Sequence, residues 1–287
     1  MQPISETDLI LNPDNSIYHL NLLPEDVAET VITVGDPDRV GEVSKYFDCL
    51  DYKKGKREFV THTGWIGNKR ITVISTGIGT DNIDIVLNEL DALVNIDFNT
   101  RLIKEKLTSL NIIRIGTSGS LHADIPIDSI LVSNYALGFD ALMRYYTYDP
   151  DAKERELQSI VDTHFYAIKT VSPYVTAASS TLKEKIGFGL PSGITATAPG
   201  FYAPQGRQVR AKNSMPDFIQ LLQSFKSKEQ SITNLEMETA GIYALAKVLG
   251  HEAVSVNSIL ANRASLQFSK YPQKTVEQAI QLVLERI

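Results

Sequence analysis

Short apolar runs alternate with amphipathic segments along most of this chain, and that alternation limits the folds open to it. ETVITVG (29–35) is typical of a buried strand. DPDRVGEVSKYF (36–47) is typical of a helix, with Asp36 at the N-cap and Pro37 at the first helical position. Strands joined through helices form a sheet with helices packed on its faces.

The same periodicities predict further elements, and some of them are hairpins, so the sheet is mixed. The other predicted elements are a hairpin (57–76) turning near Gly67-Asn68, a helix (82–94), strands (112–116, 128–138 and 253–263), an extended segment (193–202) and helices (235–250 and 274–287). Residues 145–185 are polar and weakly periodic, and the pattern assigns no element to them. We predict one domain over residues 1–287, a three-layer α/β/α sandwich around a mixed β-sheet.

Composition excludes several classes of function. The formal net charge is -6, whereas a nucleic-acid binder shows a basic face. A small anionic substrate stays open, because a local arginine cluster reverses the field in one cleft. Cys49 is the single cysteine, so no intrachain disulfide is available, and it is typical of a small buried apolar residue. The chain starts without a signal-peptide pattern and has no membrane-spanning window, so we expect a cytoplasmic protein without a membrane partner.

Three glycine-bearing segments, VGDPDR, STGIGT and RIGTSG, follow predicted strands and read as turns. In α/β folds the ligand crevice lies beyond the carboxyl ends of strands, where helix N-termini attract anions. Arg39 in a first helical turn is unfavourable unless an anion offsets it. Arg114, after an apolar run, needs an anionic partner from the protein or from a ligand. Thr117 lies nearby, and Arg57 is a further candidate. The pattern favours a binding site for a phosphate-sized anion over the alternative that these are ordinary surface arginines.

Two other segments carry polar groups suited to a sugar and a base. Glu236 and Glu238 would point about 200° apart on a helix, so they would not both face one ligand once the helix has begun. They either favour a helix N-terminus or include an acceptor for sugar hydroxyls. Gln205 and Arg207 match a flat heterocycle with carbonyls and an imide N–H, and Phe201 offers a stacking face. The alternative is a surface loop with incidental polar residues.

Two other kinds of site are disfavoured. TGIGTDN has Asp97 about twenty residues on, as in a dinucleotide fingerprint. However, Asn82 stands at the third glycine position, and Asp97 follows a helix and not a strand. The histidines show no metal-ligand spacing to one another.

These same stretches resemble the nucleoside phosphorylases of the hexameric type, and among them the uridine phosphorylases. The resemblance is carried by VGDPDRV, REF, STGIG, RIGTSG, FYAPQGR, EME and NR, and it runs from YHLNL (18–22) to the last helix. F-Y-x-x-Q-x-R marks the pyrimidine branch, whereas EMETAGIY is shared with the purine branch. The purine branch carries an aspartate near ILANR, where this chain has no acid (260–263).

The resemblance implies a pentosyltransferase that converts uridine and phosphate to uracil and ribose 1-phosphate, with no organic cofactor and no required metal. It implies Arg114, Arg207 and Glu238 as catalytic residues, with Arg57 and His19 reaching in from a neighbouring subunit. The implied binding residues are Gly35, Arg39, Arg57, Arg114 and Thr117 for phosphate; His19, Met237 and Glu238 for ribose; and Phe201, Gln205 and Arg207 for the base.

The resemblance leaves several points open. It implies a homo-oligomer, either a hexamer or a dimer. FNTRLIKEKLTSL (98–110) lengthens the segment before a strand, so the hexamer is not assumed over the dimer that the family also forms. It implies a structural K⁺ near Glu58 and Ile78, although Asn82 stands where a serine is usual. Ser118 replaces the threonine of many bacterial relatives. A preference for uridine over thymidine or deoxyuridine is undecided, and the alternatives are a purine or mixed phosphorylase and a non-catalytic nucleoside-binding protein.

Overall fold

A mixed β-sheet with helices on both faces forms the body of the protein, as the sequence predicts. The computed structural model describes residues 2–168, 172–228 and 230–287. Its strands are β1 (Thr30–Val34), β2 (Cys49–Lys56), β3 (Phe59–Ile66), β4 (Lys69–Ser75), β5 (Ile96–Asp97), β6 (Leu102–Ile103), β7 (Asn111–Ser120), β8 (Ile130–Gly138), β9 (Tyr174–Ala177), β10 (Ser192–Thr197), β11 (Lys226–Ser227), β12 (Gln230–Glu236), β13 (Glu252–Asn262) and β14 (Gln267–Phe268). Its α-helices are α1 (Pro37–Ser44), α2 (Thr80–Asn95), α3 (Ala152–His164), α4 (Ser180–Ile186), α5 (Phe218–Ser224), α6 (Thr239–Leu249) and α7 (Pro272–Arg286).

Twelve of these strands belong to one sheet, in the order β11-β12-β10-β8-β13-β7-β1-β4-β3-β2, with β9 beside β8 and β14 beside β13. The pairs of β1 with β4 and β7 are parallel, and the β2-β3-β4 edge is antiparallel. Besides β11 and β10, β12 also pairs antiparallel to β7, where Leu235 lies opposite Gly119. This pairing closes β7, β13, β8, β10 and β12 into a ring and brings the end of β12 beside the middle of the sheet.

Alternate residues of the central strands enter two different apolar cores. Val31 and Ile112 belong to the core that includes α2 and α6, whereas Ile32 and Ile113 belong to the core that includes α1, α4 and α7. Successive strand residues point to opposite faces of a sheet, so helices cover both faces. A third core lies around α3 and α5. The predicted arrangement of helices on both faces of a mixed sheet is confirmed.

Local signals at the helix ends are partly confirmed. The Asp36 side chain accepts the backbone N–H of Asp38 at 3.0 Å, and Pro37 begins α1, as predicted. α1 ends at Ser44, three residues before the predicted end. α6 begins at Thr239 and not at 235, because the preceding residues pair in β12. It ends before Gly250, whose φ of 79° is the left-handed conformation that glycine favours.

Two expectations are wrong. RIGTSG is not a turn, because β7 continues to Ser120 and pairs with β13 along its length. Gly116 in that strand accommodates a neighbouring side chain and not a reversal of the chain, as described below. Cys49 is exposed and not buried, because it begins β2 at the edge of the sheet.

The segment 145–185 holds α3, β9 and α4, and residues 169–171 lie outside the described residues. α3 begins with a capping box: the Asp151 side chain accepts the backbone N–H of Glu154, and the Glu154 side chain accepts the backbone N–H of Asp151. Glu154 is fully buried, where it accepts from Tyr148 and pairs with Lys247. A buried acid breaks the apolar periodicity, which explains why the pattern assigned no helix. None of the helices described is both long and apolar enough to cross a membrane.

Leu90 in α2 tests the core beneath the cavity described below. Leu90 is fully buried between α2 and its neighbours, so we expect Leu90→Ala to lower the free energy of unfolding by about 2–5 kcal/mol. Urea denaturation followed by circular dichroism measures that change. Leu107→Ala removes the same atoms from an exposed side chain and should change stability by less than about 1 kcal/mol. Equal losses in both variants would contradict the assigned core.

Candidate active site

A cavity of about 810 Å³ opens beyond the ends of β1, β4 and β12 and beside the second half of β7. This volume is within the range of small-molecule sites, and the position is the one at which α/β folds bind ligands. The cavity brings together most of the residues predicted from the sequence: Gly35, Arg39, Arg114, Thr117, Phe201, Gln205, Arg207, Met237 and Glu238.

Arg114 lies at the floor of the cavity in two buried ion pairs. Its Nη2 lies 2.7 Å from Glu238 Oε2 and 2.9 Å from Glu236 Oε2. The guanidinium folds back over Gly116, where a Cβ atom would lie 1.9 Å from Nη1, so the strand needs a glycine there. Burial opposes the charge of Arg114, but Glu236 and Glu238 outweigh that effect and raise its pKa. The protein itself therefore supplies the anionic partner that Arg114 requires.

Glu236 and Glu238 both reach one guanidinium because the helix has not begun where they stand. Glu236 ends β12, and its carboxylate accepts the backbone N–H of Thr239 at 3.0 Å, which confirms the helix N-terminus interpretation for that residue. Glu238 is the N-cap of α6 and accepts the backbone N–H of Gly79 at 2.9 Å. Burial raises the pKa of Glu238; Arg114 acts in the opposite direction, and Glu236 adds to the rise.

Arg39 supplies a second positive charge to the same cavity. It stands in the first turn of α1, beside the N-terminus of that helix and close to Gly35. Burial lowers the pKa of Arg39, Asp36 acts against that change, and the positive charge of Arg114 adds to it. Within the described residues Arg39 has no ion-pair partner at 4 Å or less. A helix N-terminus and a guanidinium without a close ion-pair partner among the described residues make this end of the cavity attractive to an anion.

Arg207 and Gln205 form the other end of the cavity. Arg207 Nη1 donates to Gln205 Oε1 at 2.6 Å, and its guanidinium carbon lies 3.8 Å from the centre of the Phe201 ring. One face of Phe201 is thus covered by Arg207 and not free for a heterocycle. Burial lowers the pKa of Arg207 to about 10, and the nearby charge of Arg263 contributes, so the group stays protonated at neutral pH. Arg263 donates to the Gln205 carbonyl at 2.9 Å, a contact that the sequence did not suggest.

Arg57 and His19 lie outside the residues that line this chain's cavity. Arg57 is exposed in the turn between β2 and β3, with a left-handed φ of 57° that is uncommon for arginine. His19 Nδ1 lies 2.7 Å from Glu89 Oε1. Their predicted entry from a neighbouring subunit stays a prediction.

Glu58 and Ile78 line the cavity rim near the predicted cation position. Glu58 Oε1 accepts from Asn82 Nδ2 at 3.3 Å, so the asparagine that replaces the family's serine contacts the carboxylate. The described part of the chain contains no group of three or more histidine, cysteine or acidic side chains arranged to hold a metal ion. The cation remains a prediction.

The comparisons with known proteins agree with this geometry. The chain belongs to the phosphorylase superfamily, whose family model matches residues 29–287. It is 30% identical over 257 residues to the uridine phosphorylase of Thermococcus kodakarensis, covering 90% of this chain and 81% of that protein. It is 26% identical to a DeoD-type purine nucleoside phosphorylase of Buchnera aphidicola, covering 95% and 99% of the two chains.

A solved structure of similar fold is the nucleoside phosphorylase of Trypanosoma brucei, reported to show uridine phosphorylase activity. It superposes with a TM-score of 0.88 at 29% identity, covering 97% of this chain and 99% of that one. The family predicted from the motifs is confirmed, and with it an enzyme of the pentosyltransferase type that acts on a nucleoside and phosphate.

Replacement of Arg114 tests the buried ion pairs. Arg114→Met leaves Glu236 and Glu238 buried without a cation, so we expect the free energy of unfolding at neutral pH to fall by about 3–5 kcal/mol. A carboxyl whose folded pKa is raised binds more protons when folded, so stability of the variant should recover as the pH falls towards about 5. Urea denaturation at both pH values measures this.

Arg155→Met is the control for that experiment, because Arg155 pairs at the surface with an almost fully exposed Asp149. Such a pair contributes little to stability. We expect little change at either pH. A loss in Arg114→Met that is no larger than this control, or that grows as the pH falls, would contradict the assigned ion pairs.

Proposed function

We propose that this protein cleaves uridine with phosphate, releasing uracil and ribose 1-phosphate. The observation that carries the proposal is that the two ends of the cavity hold different sets of polar groups. Arg39, Arg114 and the N-terminus of α1 stand at one end, and the Gln205–Arg207 pair stands at the other. One nucleoside spans such a cavity with its base at one end and its sugar near the anion.

Phosphate is the anion that we assign to the end of the cavity formed by Arg39, Arg114 and the N-terminus of α1. Gly35 N–H, Arg39, Arg114 and Thr117 would hold it, with Arg57 added by a neighbouring subunit. Guanidinium groups suit this task because they remain charged and bond to phosphate oxygens in pairs. Holding phosphate beneath the anomeric carbon makes the attack intramolecular in effect, which accounts for a large part of the rate of such reactions.

Ribose would lie between the two ends. Vicinal hydroxyls donate to the Glu238 carboxylate and bond to the Met237 backbone, and His19 of a neighbouring subunit would bond to the 5′-hydroxyl. The sugar becomes oxocarbenium-like as the base departs, as it does in glycoside hydrolysis. A carboxylate held at the sugar favours that positive charge, and Arg114 keeps Glu238 in place while the hydroxyls bind.

Uracil would occupy the end formed by Gln205 and Arg207. An amide offers both a donor and an acceptor to the imide and carbonyl edge of the base, whereas a guanidinium offers donors alone. Negative charge develops on the base as the glycosidic bond breaks. Arg207 stabilises it more in the transition state than in the ground state, which raises kcat. Phe201 would contact the base with the ring face that Arg207 leaves free.

The choice of uridine over purine nucleosides rests on two features of the chain. FYAPQGR supplies the amide and guanidinium, and the strand end Leu260–Arg263 supplies no acid to protonate a purine ring. A uridine phosphorylase and a purine nucleoside phosphorylase each align over most of the chain, so the overall fold does not decide between the two substrates.

We also propose a homo-oligomer, a hexamer or a dimer, in which neighbouring subunits complete each site. Exposed Arg57 and the position of His19 outside the cavity support that arrangement. The reaction needs neither an organic cofactor nor a metal ion. A structural K⁺ at the rim, near Glu58 and Ile78, is part of the same proposal.

The proposal is tested by the loss of ultraviolet absorbance of uridine with purified protein, with and without phosphate. We expect cleavage that depends on phosphate. Cleavage without phosphate would mean a hydrolase, and faster cleavage of inosine would establish a purine or mixed phosphorylase. Binding of uridine without turnover of either nucleoside would establish a non-catalytic binding protein. Thymidine and deoxyuridine, assayed in parallel, resolve the pyrimidine preference.

Arg207→Ala separates recognition of the base from binding of phosphate. We expect kcat for uridine to fall by about 10²–10³-fold, because the charge on the leaving base loses its partner. Phosphate affinity, measured by calorimetry, should stay unchanged. Arg210→Ala removes an exposed arginine three residues further along the same loop and should leave both quantities unchanged. Full turnover in Arg207→Ala would remove that residue from the mechanism.

A further inference from the structure

β13 carries two buried polar side chains beside the Arg114 guanidinium. Ser255 and Asn257 are both fully buried. In the parallel pairing of β13 with β7, Ser255 lies beside Arg114 and Asn257 lies beside Gly116. Alternate residues share a face of a sheet. Asn257 therefore lies next to the one position where the absence of a Cβ leaves room for the guanidinium.

The two ends of the Arg114 guanidinium meet different partners. Nη2 bonds to the carboxylates of Glu236 and Glu238, whereas Nη1 donates to Asn257 Oδ1 at 3.0 Å and more weakly to Ser255 Oγ at 3.3 Å. Asn257 accepts a hydrogen bond without adding charge. A third carboxylate at that position would offset more of the positive charge that an anion in the cavity requires. A neutral acceptor fixes the orientation of Arg114 without adding to the negative charge of Glu236 and Glu238 beside it.

The Asn257 amide is itself held in one orientation. Its Nδ2 donates to Ser133 Oγ at 3.0 Å, which leaves Oδ1 towards the guanidinium. Thr195 uses its single hydroxyl proton to donate to Asn234 Oδ1. In the contact between the Ser133 and Thr195 hydroxyls, Ser133 is therefore the donor. Asn234 then donates to Ser118 Oγ at the cavity wall. Rotation of the Asn257 amide would break this buried series of bonds, and each break is costly.

We propose that Asn257 is a positioning residue for Arg114, fixing the plane of the guanidinium that binds phosphate. The inference rests on the proposed function, because it assigns phosphate to the cavity. Asn257 does not line the cavity, so its effect on phosphate passes through Arg114. A displacement of about 1 Å in a positioning group lowers the rate by about 100-fold.

Asn257→Leu tests this role, because leucine has a similar shape and neither donates nor accepts. We expect KM for phosphate to rise by about 10–100-fold and kcat to fall, with KM for uridine changed much less. Calorimetric titration with inorganic phosphate should show the same loss of affinity without turnover. Asn257→Ser is the second variant in case the first fails to fold. Its shorter side chain ends short of Arg114 and should weaken phosphate binding in the same direction.

Asn95→Leu is the matched control. Asn95 is a buried asparagine in α2 that bonds to Asp91 and to the backbone of Thr108, away from Arg114. We expect it to lower the thermal unfolding midpoint but to leave phosphate affinity unchanged. Phosphate affinity in Asn257→Leu equal to that of this control would overturn the positioning role while the proposed function stands. Wild-type protein that neither binds phosphate nor cleaves uridine would overturn the proposed function and this inference with it.

Discussion

The buried contact of Arg114 with Glu236 and Glu238 is the interaction on which the cavity depends. It joins β7 to the end of β12, and it is reachable because β12 pairs with both β10 and β7. Burying three charged groups gives up their hydration, and the net gain over an apolar replacement is small or negative. The fold therefore keeps this cluster at a cost that packing alone does not explain. The cluster lines an open cavity, and the proposed binding of phosphate and ribose there would account for the cost.

Charge balance in the cavity explains why the proposed phosphate site would need Arg39 as well as Arg114. Two carboxylates face Arg114, so that group of three side chains has no positive charge to spare when both acids are ionised. Arg39 and the N-terminus of α1 add positive charge at the same end. The carboxylates hold Arg114 in position. In the proposed site Glu238 would also bind the sugar, and Arg39 would attract the anion.

The sequence predicted features that depend on local contacts, and it failed where distant strands decide. The Asp36 cap of α1 is set within one turn, and its prediction is confirmed. The sequence pattern placed Gly116 in a turn. The glycine is in fact needed because the Arg114 side chain folds over that position, a contact that the sequence does not reveal. The start of α6 was placed too early because pairing of β12 with two strands delays it. Asn257 and Arg263 contact residues more than fifty positions away, and no spacing rule in one sequence indicates such contacts.

In the proposed reaction, Arg207 and Arg263 would favour a base that leaves as an anion over a base that leaves protonated. Arg207 and Arg263 lie close enough for the charge of one to lower the pKa of the other. An acid placed beside two guanidinium groups would stay ionised and would donate a proton poorly. The proposed base, uracil, carries two carbonyls that would spread negative charge towards such donors, so it would leave without a proton from the protein. The absence of an acid at 260–263 and the two neighbouring arginines therefore both support the proposal of a pyrimidine nucleoside as the substrate.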